Sequence, residues 1–244
     1  MKVDFHSHIL PGIDDGSPDI DHTERMLRME AEQGIETVIA TPHFYAETET
    51  VESFLERRAG AYRRYLQLRK EKPELPELIP AAEVCYFEGI GRSDLSPYLC
   101  AAGSRVLFLE SPFDQWSMEF YKDISGILNR RRMSVVLVHI ERFLDFQKDP
   151  SVLNKVLELP VYLQVNANRF LSMGGRRTVR RILGFGKTTV IGSDCHNLHD
   201  RGPNMADASG MIGKKMKAEE KEAFETGEGE LIGEITRWRR GGGL

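Results

Sequence analysis

The chain has 244 residues with 33 basic and 37 acidic side chains, and this net charge of −4 offers no basic face for nucleic acid. It contains no run of about eighteen apolar residues, so we expect no segment that inserts into a membrane. The length can bury the core of one closed α/β barrel, and three cysteines, an odd number, suit a reducing compartment. We therefore expect one domain over residues 1–244 and a soluble, cytoplasmic protein.

Short apolar runs alternate with helical patterns along the chain. The runs cover residues 3–5, 37–40, 78–82, 106–109, 135–138, 161–165 and 189–192. The helical patterns cover 20–33, 51–72, 118–132 and 151–159, with a short one from 178 and two more over 218–226 and 230–239. Because strands that alternate with helices are typical of parallel sheets, the sequence predicts seven parallel strands.

Each predicted strand leads into a side chain that could bind a metal. In chain order these are His6 and His8, His43, Glu83, Glu110, His139, Asn166, and Asp194 with His196. In a parallel barrel the C-terminal ends of the strands meet on one face, where active sites lie. Five of the seven histidines lie just after a predicted strand. This pattern predicts a metal site at the C-terminal face of the barrel rather than scattered surface residues.

The first sixteen residues begin this pattern. Side chains two apart in a strand point to the same side, so His6 and His8 could bind one cation together. A turn broken by Pro11-Gly12 and Gly16 then returns two carboxylates, Asp14 and Asp15, toward the strand end. Imidazoles and carboxylates in one cluster suit divalent manganese, iron or zinc.

These motifs resemble a known superfamily. The matching segments are His6-Ser7-His8, Leu10-Pro11-Gly12-Ile13-Asp14-Asp15-Gly16, Thr41-Pro42-His43, Ala82-Glu83, Leu109-Glu110, Val138-His139-Ile140-Glu141-Arg142, Gln164-Val165-Asn166 and Ser193-Asp194-Cys195-His196-Asn197. They are similar to the polymerase-and-histidinol-phosphatase (PHP) superfamily, and most similar to its bacterial metal-dependent tyrosine phosphatases of exopolysaccharide and capsule synthesis. The resemblance implies a distorted (β/α)7 TIM-like barrel.

The resemblance also implies three divalent metal ions, with manganese expected and iron or zinc as alternatives. The first would bind His6, His8 and Asp194, with Glu83 bridging to a second that binds Glu110 and His139. The third would bind Asp15, His43 and His196. Asp14 is the weaker ligand candidate of the adjacent pair and could serve only to orient its loop.

The implied reaction is hydrolysis of phosphotyrosine by metal-activated water, without a protein nucleophile. Arg142 and Arg201 would clamp the phosphate, although either could instead be a surface residue paired with a carboxylate. The expected partner is a phosphotyrosine protein, namely the tail of a membrane tyrosine autokinase of exopolysaccharide synthesis. A small-molecule phosphomonoesterase such as a histidinol phosphatase is the alternative, and a non-catalytic metal-binding module is a weaker one. The oligomeric state stays open.

Some residues allow two interpretations. Cys195 and Arg201 have the Cys-x5-Arg spacing of cysteine-dependent phosphatases, but this interval has no glycine to shape a phosphate-binding loop. We therefore expect no thiolate mechanism. Phe44 and Tyr45 follow His43, and Phe113 and Trp116 follow Glu110, so they could line a pocket for an aromatic substrate or simply pack in the core.

Overall fold

A computed structural model describes residues 1–240, with side chains through Arg237, so the last four residues of the predicted domain lie outside the described residues. Every strand pairing in it is parallel. The strands are β1 (Val3–Ser7), β2 (Thr37–Ala40), β3 (His43–Phe44), β4 (Glu77–Pro80), β5 (Glu83–Cys85), β6 (Val106–Glu110), β7 (Ser134–Leu137), β8 (Tyr162–Asn166) and β9 (Thr189–Gly192).

Seven of these nine strands overlap the runs predicted from the sequence, whereas β3 and β5 were not predicted and lie just after the second and third runs. The hydrogen-bonded order is β1-β2-β4 in one sheet and β3-β5-β6-β7-β8-β9 in the other. Two residues separate β2 from β3 and β4 from β5, so each pair is one strand with a break. Pro42 lies in the first break, where proline has no N–H to donate to a neighbouring strand.

The two ends of the sheet meet beside the last strand. Ser7 forms a parallel bridge with Cys195. The backbone N–H of His8 donates to the carbonyl of Cys195 at 2.9 Å, and that of Asp194 donates to the carbonyl of His6 at 2.8 Å. The α/β fold with parallel strands is confirmed, and this seam is compatible with the expected distorted barrel.

Within residues 1–240, seven α-helices cover the strands. They are α1 (Ile20–Glu32), α2 (Val51–Glu71), α3 (Met118–Ser125), α4 (Ser151–Glu158), α5 (Met173–Leu183), α6 (Met205–Lys215) and α7 (Ala218–Arg240). The first four lie where they were predicted, although α3 ends in a π-helical turn at Gly126–Arg130. Among the residues that the structure describes, no helix combines the length and the apolar character needed to cross a membrane.

The helical predictions for the last third of the chain were wrong in three places. α5 begins at Met173 instead of residue 178, because the Ser172 hydroxyl accepts a hydrogen bond from the backbone of Gly175 at 2.9 Å and caps the helix. α6 was not predicted. Residues 218–240 form one helix rather than two, and the glycine at position 227 lies within it.

Gly227 allows α7 to lie directly on the start of β9. A Cβ atom at this position would be 2.5 Å from the backbone oxygen of Thr189. Further along the helix, Leu231 and Ile235 join a buried apolar cluster with side chains from β1, β2, β4, β6, β7 and β9. Side chains from strands around the sheet thus meet one another, as they do inside a barrel.

Candidate metal centre

The structure brings all nine side chains predicted as metal ligands into one cluster at the carboxyl ends of the strands. His6 lies in β1, and Glu110 is the last residue of β6. His43 and Glu83 are the first residues of β3 and β5 and pair directly across the sheet. The remaining five follow strands or lie in the loop after β1: His8, Asp15, His139, Asp194 and His196.

Glu83 is the centre of this cluster. Its Oε2 lies 3.3 Å from Nε2 of His6, 3.1 Å from Nε2 of His8 and 3.1 Å from Nδ1 of His43. Its Oε1 lies 2.5 Å from Nε2 of His139. Nevertheless Glu83 Oε2 and His43 Nδ1 are buried and have no hydrogen-bond partner. Buried polar atoms are normally satisfied, so these atoms fit a site whose partners are cations.

Among the nine predicted ligands, three groups of ligand atoms each lie within 4.8 Å of one another, and a fourth such group, Asp4, Glu30 and Cys195, contains none of the nine. The first, His6, His8 and Asp194, coincides with the first predicted site. The second contains His6, Glu83 and His139, whereas Glu110, predicted as its third ligand, lies 3.6 Å from Nε2 of His139. The third contains His8 together with the three predicted residues Asp15, His43 and His196.

The pKa values in the cluster are shifted in both directions: burial opposes protonation of His8, but hydrogen bonds to Asp14 and Glu83 raise its pKa to about 10. Burial would raise the pKa of Glu83, but the neighbouring imidazoles of His6 and His139 hold it well below the usual range. Burial lowers the pKa of His139 to about 4, and burial together with the charge of His8 lowers that of His196 to about 4. The two imidazoles are therefore neutral near pH 7, which is the form that binds metals.

Asp14 positions its neighbours and is not in any of the three groups. Its Oδ2 lies 2.7 Å from Nδ1 of His8 and accepts the backbone N–H of His43 at 3.1 Å, and its Oδ1 accepts that of Gly16 at 3.0 Å. Burial opposes ionisation of Asp14, but the hydrogen bond to His8 lowers its pKa to about 2. Gly16 permits this fold of the loop, because a Cβ there would lie 2.0 Å from the carbonyl oxygen of His8.

Two of the candidate ligands have strained backbones. His139 has φ +31° and Asp194 has φ +56°, values that residues other than glycine rarely adopt. Gln164 supports the first, since its Oε1 accepts the backbone N–H of His139 at 2.6 Å. Its Nε2 donates to Asn166, which in turn donates to Oδ2 of Asp194 at 2.9 Å. Such strain is common where a fold fixes functional groups.

Gln164 and Asp4 were missed by the sequence reasoning. Asp4 is buried and accepts the backbone N–H of Ser193 at 2.8 Å and that of His6 at 3.1 Å, so it holds β1 against the segment after β9. Both side chains are polar residues within otherwise apolar strand runs. That pattern was the available signal, because a buried polar side chain needs a partner.

The two predicted phosphate-binding arginines lie at the rim of the cluster, about a third exposed or slightly more. Arg142 donates from Nη2 to Oδ2 of Asp194. Arg201 donates from Nη2 to Oδ1 of the same carboxylate at 3.3 Å, and its Nη1 lies 4.0 Å from Oδ2 of Asp15. Both guanidinium groups are thus held beside the candidate ligands, with one side open to solvent.

Of the other side chains considered in the sequence, three are buried and two are exposed. Cys195 is fully buried, and burial raises the pKa of its thiol well above the usual value, which does not suit a thiolate nucleophile. Phe44 and Trp116 are buried core residues, so they do not line a pocket. Phe113 and Tyr45 are exposed, and the Tyr45 ring lies 5.3 Å from that of His43.

Comparisons with known proteins extend over nearly the whole chain. A model of the family described as capsular polysaccharide synthesis, CpsB/CapC, matches residues 2–230. The tyrosine-protein phosphatase YwqE of Bacillus subtilis (strain 168) is 26% identical over 226 residues, covering 89% of this chain and 86% of YwqE.

Solved structures show the same fold. One belongs to YwqE from Bacillus subtilis and CpsB from Streptococcus pneumoniae, described as unique metal-dependent tyrosine phosphatases. It matches with a TM-score of 0.75 at 21% identity and covers 93% of each chain. The histidinol phosphate phosphatase of Lactococcus lactis, solved with zinc, L-histidinol and phosphate, matches with a TM-score of 0.56 at 11% identity. It covers 87% of this chain and 93% of its own, so the two chains share a fold.

Proposed function

The chain belongs to the CpsB/CapC family of capsular polysaccharide synthesis, and from that premise we propose that it is a metal-dependent phosphatase acting on phosphotyrosine in proteins. The observation that carries the proposal is the buried Glu83 carboxylate, within 3.3 Å of four imidazoles and with one oxygen lacking a hydrogen-bond partner. The relatives named tyrosine phosphatases support the choice of phosphotyrosine over histidinol phosphate.

The donor set fits three divalent cations, and we propose manganese, with iron or zinc also compatible. Their ligands would be the nine clustered side chains, namely His6, His8, Asp15, His43, Glu83, Glu110, His139, Asp194 and His196. When bound, clustered divalent cations lower the pKa of water and stabilise negative charge on phosphoryl oxygens.

The protein's own groups would hold the substrate in place. Arg142 and Arg201 already direct N–H donors at the Asp194 carboxylate, and their open sides can donate to phosphoryl oxygens in the same geometry. A phenolate is a good leaving group, because the pKa of tyrosine is about 10. Phosphotyrosine hydrolysis therefore does not depend on a strong general acid from the chain.

For the physiological substrate we propose the phosphotyrosine tail of a membrane tyrosine autokinase, consistent with a family of capsular polysaccharide synthesis. We also propose a cytoplasmic location, since such a tail is phosphorylated with ATP and the three cysteines are unpaired. These two points concern the biological setting and do not affect the chemistry of the site.

The test is phosphate release by metal-free protein that has been reloaded with manganese, iron or zinc. We expect kcat/KM to be highest for a phosphotyrosine peptide, lower for histidinol phosphate and lowest for a phosphoserine peptide. His6→Ala should lose activity by orders of magnitude, whereas His22→Ala, which changes an exposed histidine on α1, should not. Activity that survives chelation, or a clear preference for histidinol phosphate, would contradict the proposal.

A further inference from the structure

A cavity of about 330 Å³ opens directly beside the metal centre. Its wall includes Asp15 and His43, which both belong to the cluster, together with Tyr45, Glu49 and Arg57. A group that enters this cavity is therefore next to the place where phosphorus would react. The volume lies at the lower end of the range for small-molecule sites, which is about 300–1,000 Å³.

The charged groups on the outer wall of this cavity neutralise each other. Arg57 donates from Nη2 to Oε1 of Glu49 at 2.7 Å and from Nη1 to the carbonyl of Ile13 at 2.5 Å. The guanidinium thus joins the loop after β1 to the loop after β3 and fixes the distance between them. Because Glu49 already balances its charge, Arg57 is a poor partner for a free carboxylate, which Asp15 would also repel.

The wall also carries the phenol ring of Tyr45. The Tyr45 ring is 40% exposed, and its centroid lies 5.3 Å from that of the His43 ring with the two planes 31° apart. Offset aromatic pairs favour centroid distances of about 4.5–7 Å. Tyr45 therefore has accessible surface beside His43, a candidate metal ligand.

We propose that this cavity receives the phenyl ring of phosphotyrosine and that Tyr45 selects aromatic over alkyl phosphates by stacking on that ring. The proposal rests on the proposed function and names the residue that sets its substrate class. In an aryl phosphate the ring is bonded to the bridging oxygen, so a phosphate held at the cluster places the ring in the adjoining space. A flat, uncharged ring also suits a wall whose ion pair is already matched.

The test compares two ligands that cannot be hydrolysed, phenylphosphonate and methylphosphonate, on the metal-loaded protein. We expect Tyr45→Leu to reduce the preference for phenylphosphonate by about three- to tenfold, from the energy of one aromatic pair. Tyr45→Phe should keep the preference, because it keeps the ring. Tyr98→Leu is the matched control, since Tyr98 is 60% exposed and lies in the short helix Ser96–Leu99, before β6 begins.

Three outcomes overturn the proposal. In the first, Tyr45→Leu leaves the ratio of the two dissociation constants unchanged. In the second, it weakens both ligands equally, which indicates a structural role. In the third, Tyr45→Phe loses the preference as fully as Tyr45→Leu. Failure of the proposed function would give a different result. In that case the unsubstituted protein would neither bind methylphosphonate nor release phosphate from a phosphotyrosine peptide, and this would overturn both the proposed function and the role of Tyr45.

Discussion

Asp14 uses its two carboxylate oxygens to fix three neighbours of the metal centre. It contacts Nδ1 of His8, which leaves Nε2 of that ring directed at Glu83, and it accepts the backbone N–H groups of His43 and Gly16. A carboxylate that holds the second nitrogen of a ligating histidine fixes its tautomer and orientation. Metal affinity should therefore depend on Asp14 even though Asp14 is not among the proposed ligands.

We expect Asp14→Asn to weaken metal binding by about 10–100-fold, the usual effect of losing such a partner. Competition with a chelator of known affinity, read by metal analysis, measures this change. Asp21→Asn removes the same charge from an exposed position on α1 and serves as the control. An unchanged affinity in Asp14→Asn would show that the loop orients His8 without this carboxylate.

Arg142 makes a second prediction at the residue scale. Because its guanidinium contacts Asp194 and has an open side, Arg142→Ala should retain bound metal and lose phosphate binding or turnover. A loss of about 10²-fold in kcat/KM is expected for one donor that stabilises transition-state charge. Arg92→Ala, which removes an exposed arginine paired with Glu119, is the control. Loss of metal in Arg142→Ala would instead assign the residue to positioning Asp194.

The identity of the candidate ligands was predictable, but their supporting contacts were not. His43, Glu83 and Asp194 each follow an apolar run. Their position at the carboxyl ends of the strands could therefore be inferred from the predicted strand ends alone. Gln164 reaches the backbone of His139 across 25 residues of chain. No local pattern encodes such a contact, because it depends on the register of two strands and on the left-handed backbone of His139.

The length and position of a helix can depend on close backbone contacts that its sequence pattern does not show. α7 continues through position 227 because a glycine there lets the helix lie on Thr189. From the sequence, two helices were predicted over 218–226 and 230–239, on either side of the glycines at 227 and 229. Glycine lowers helix propensity by about 1 kcal/mol, a cost that the packing of Leu231 and Ile235 against the barrel outweighs.

Gly227→Ala provides a test of this packing. The added Cβ would meet a backbone oxygen at 2.5 Å, so we expect the free energy of unfolding to fall by about 1–3 kcal/mol. Gly233→Ala is a matched control in the same helix, because no atom lies within 4 Å of its added Cβ. It should leave stability unchanged or raise it by up to about 1 kcal/mol. Urea unfolding measures the free energy of unfolding of both variants. Equal changes in Gly227→Ala and Gly233→Ala would contradict the close contact at position 227.

Two arginines of α2 donate hydrogen bonds to the loop after β1. Arg57 donates to the carbonyl of Ile13, and Arg64 donates to that of Pro11 at 2.5 Å. The predicted bounds of α2 were nearly right because its cap, Thr50, and the following Pro73 are local signals. Its role in shaping the loop was not predictable, since long arginine side chains can reach many carbonyls.

At the scale of the whole molecule, the metal centre joins strands from every part of the sheet. Metal that binds the folded protein and not the unfolded chain should stabilise it, by about 2.7 kcal/mol at a concentration one hundred times the dissociation constant. We expect a chelator to lower the melting temperature and manganese to restore it. The response should vanish in His6→Ala and persist in His22→Ala. A melting temperature independent of metal would argue against a shared cluster.

The seam between Ser7 and Cys195 has a consequence for the timing of activity. Translation delivers His6 and His8 at the outset, whereas Asp194 and His196 emerge from the ribosome only after β9. We expect a growing polypeptide to stay inactive until the segment after β9 docks onto β1, because it lacks the proposed ligands Asp194 and His196 until then.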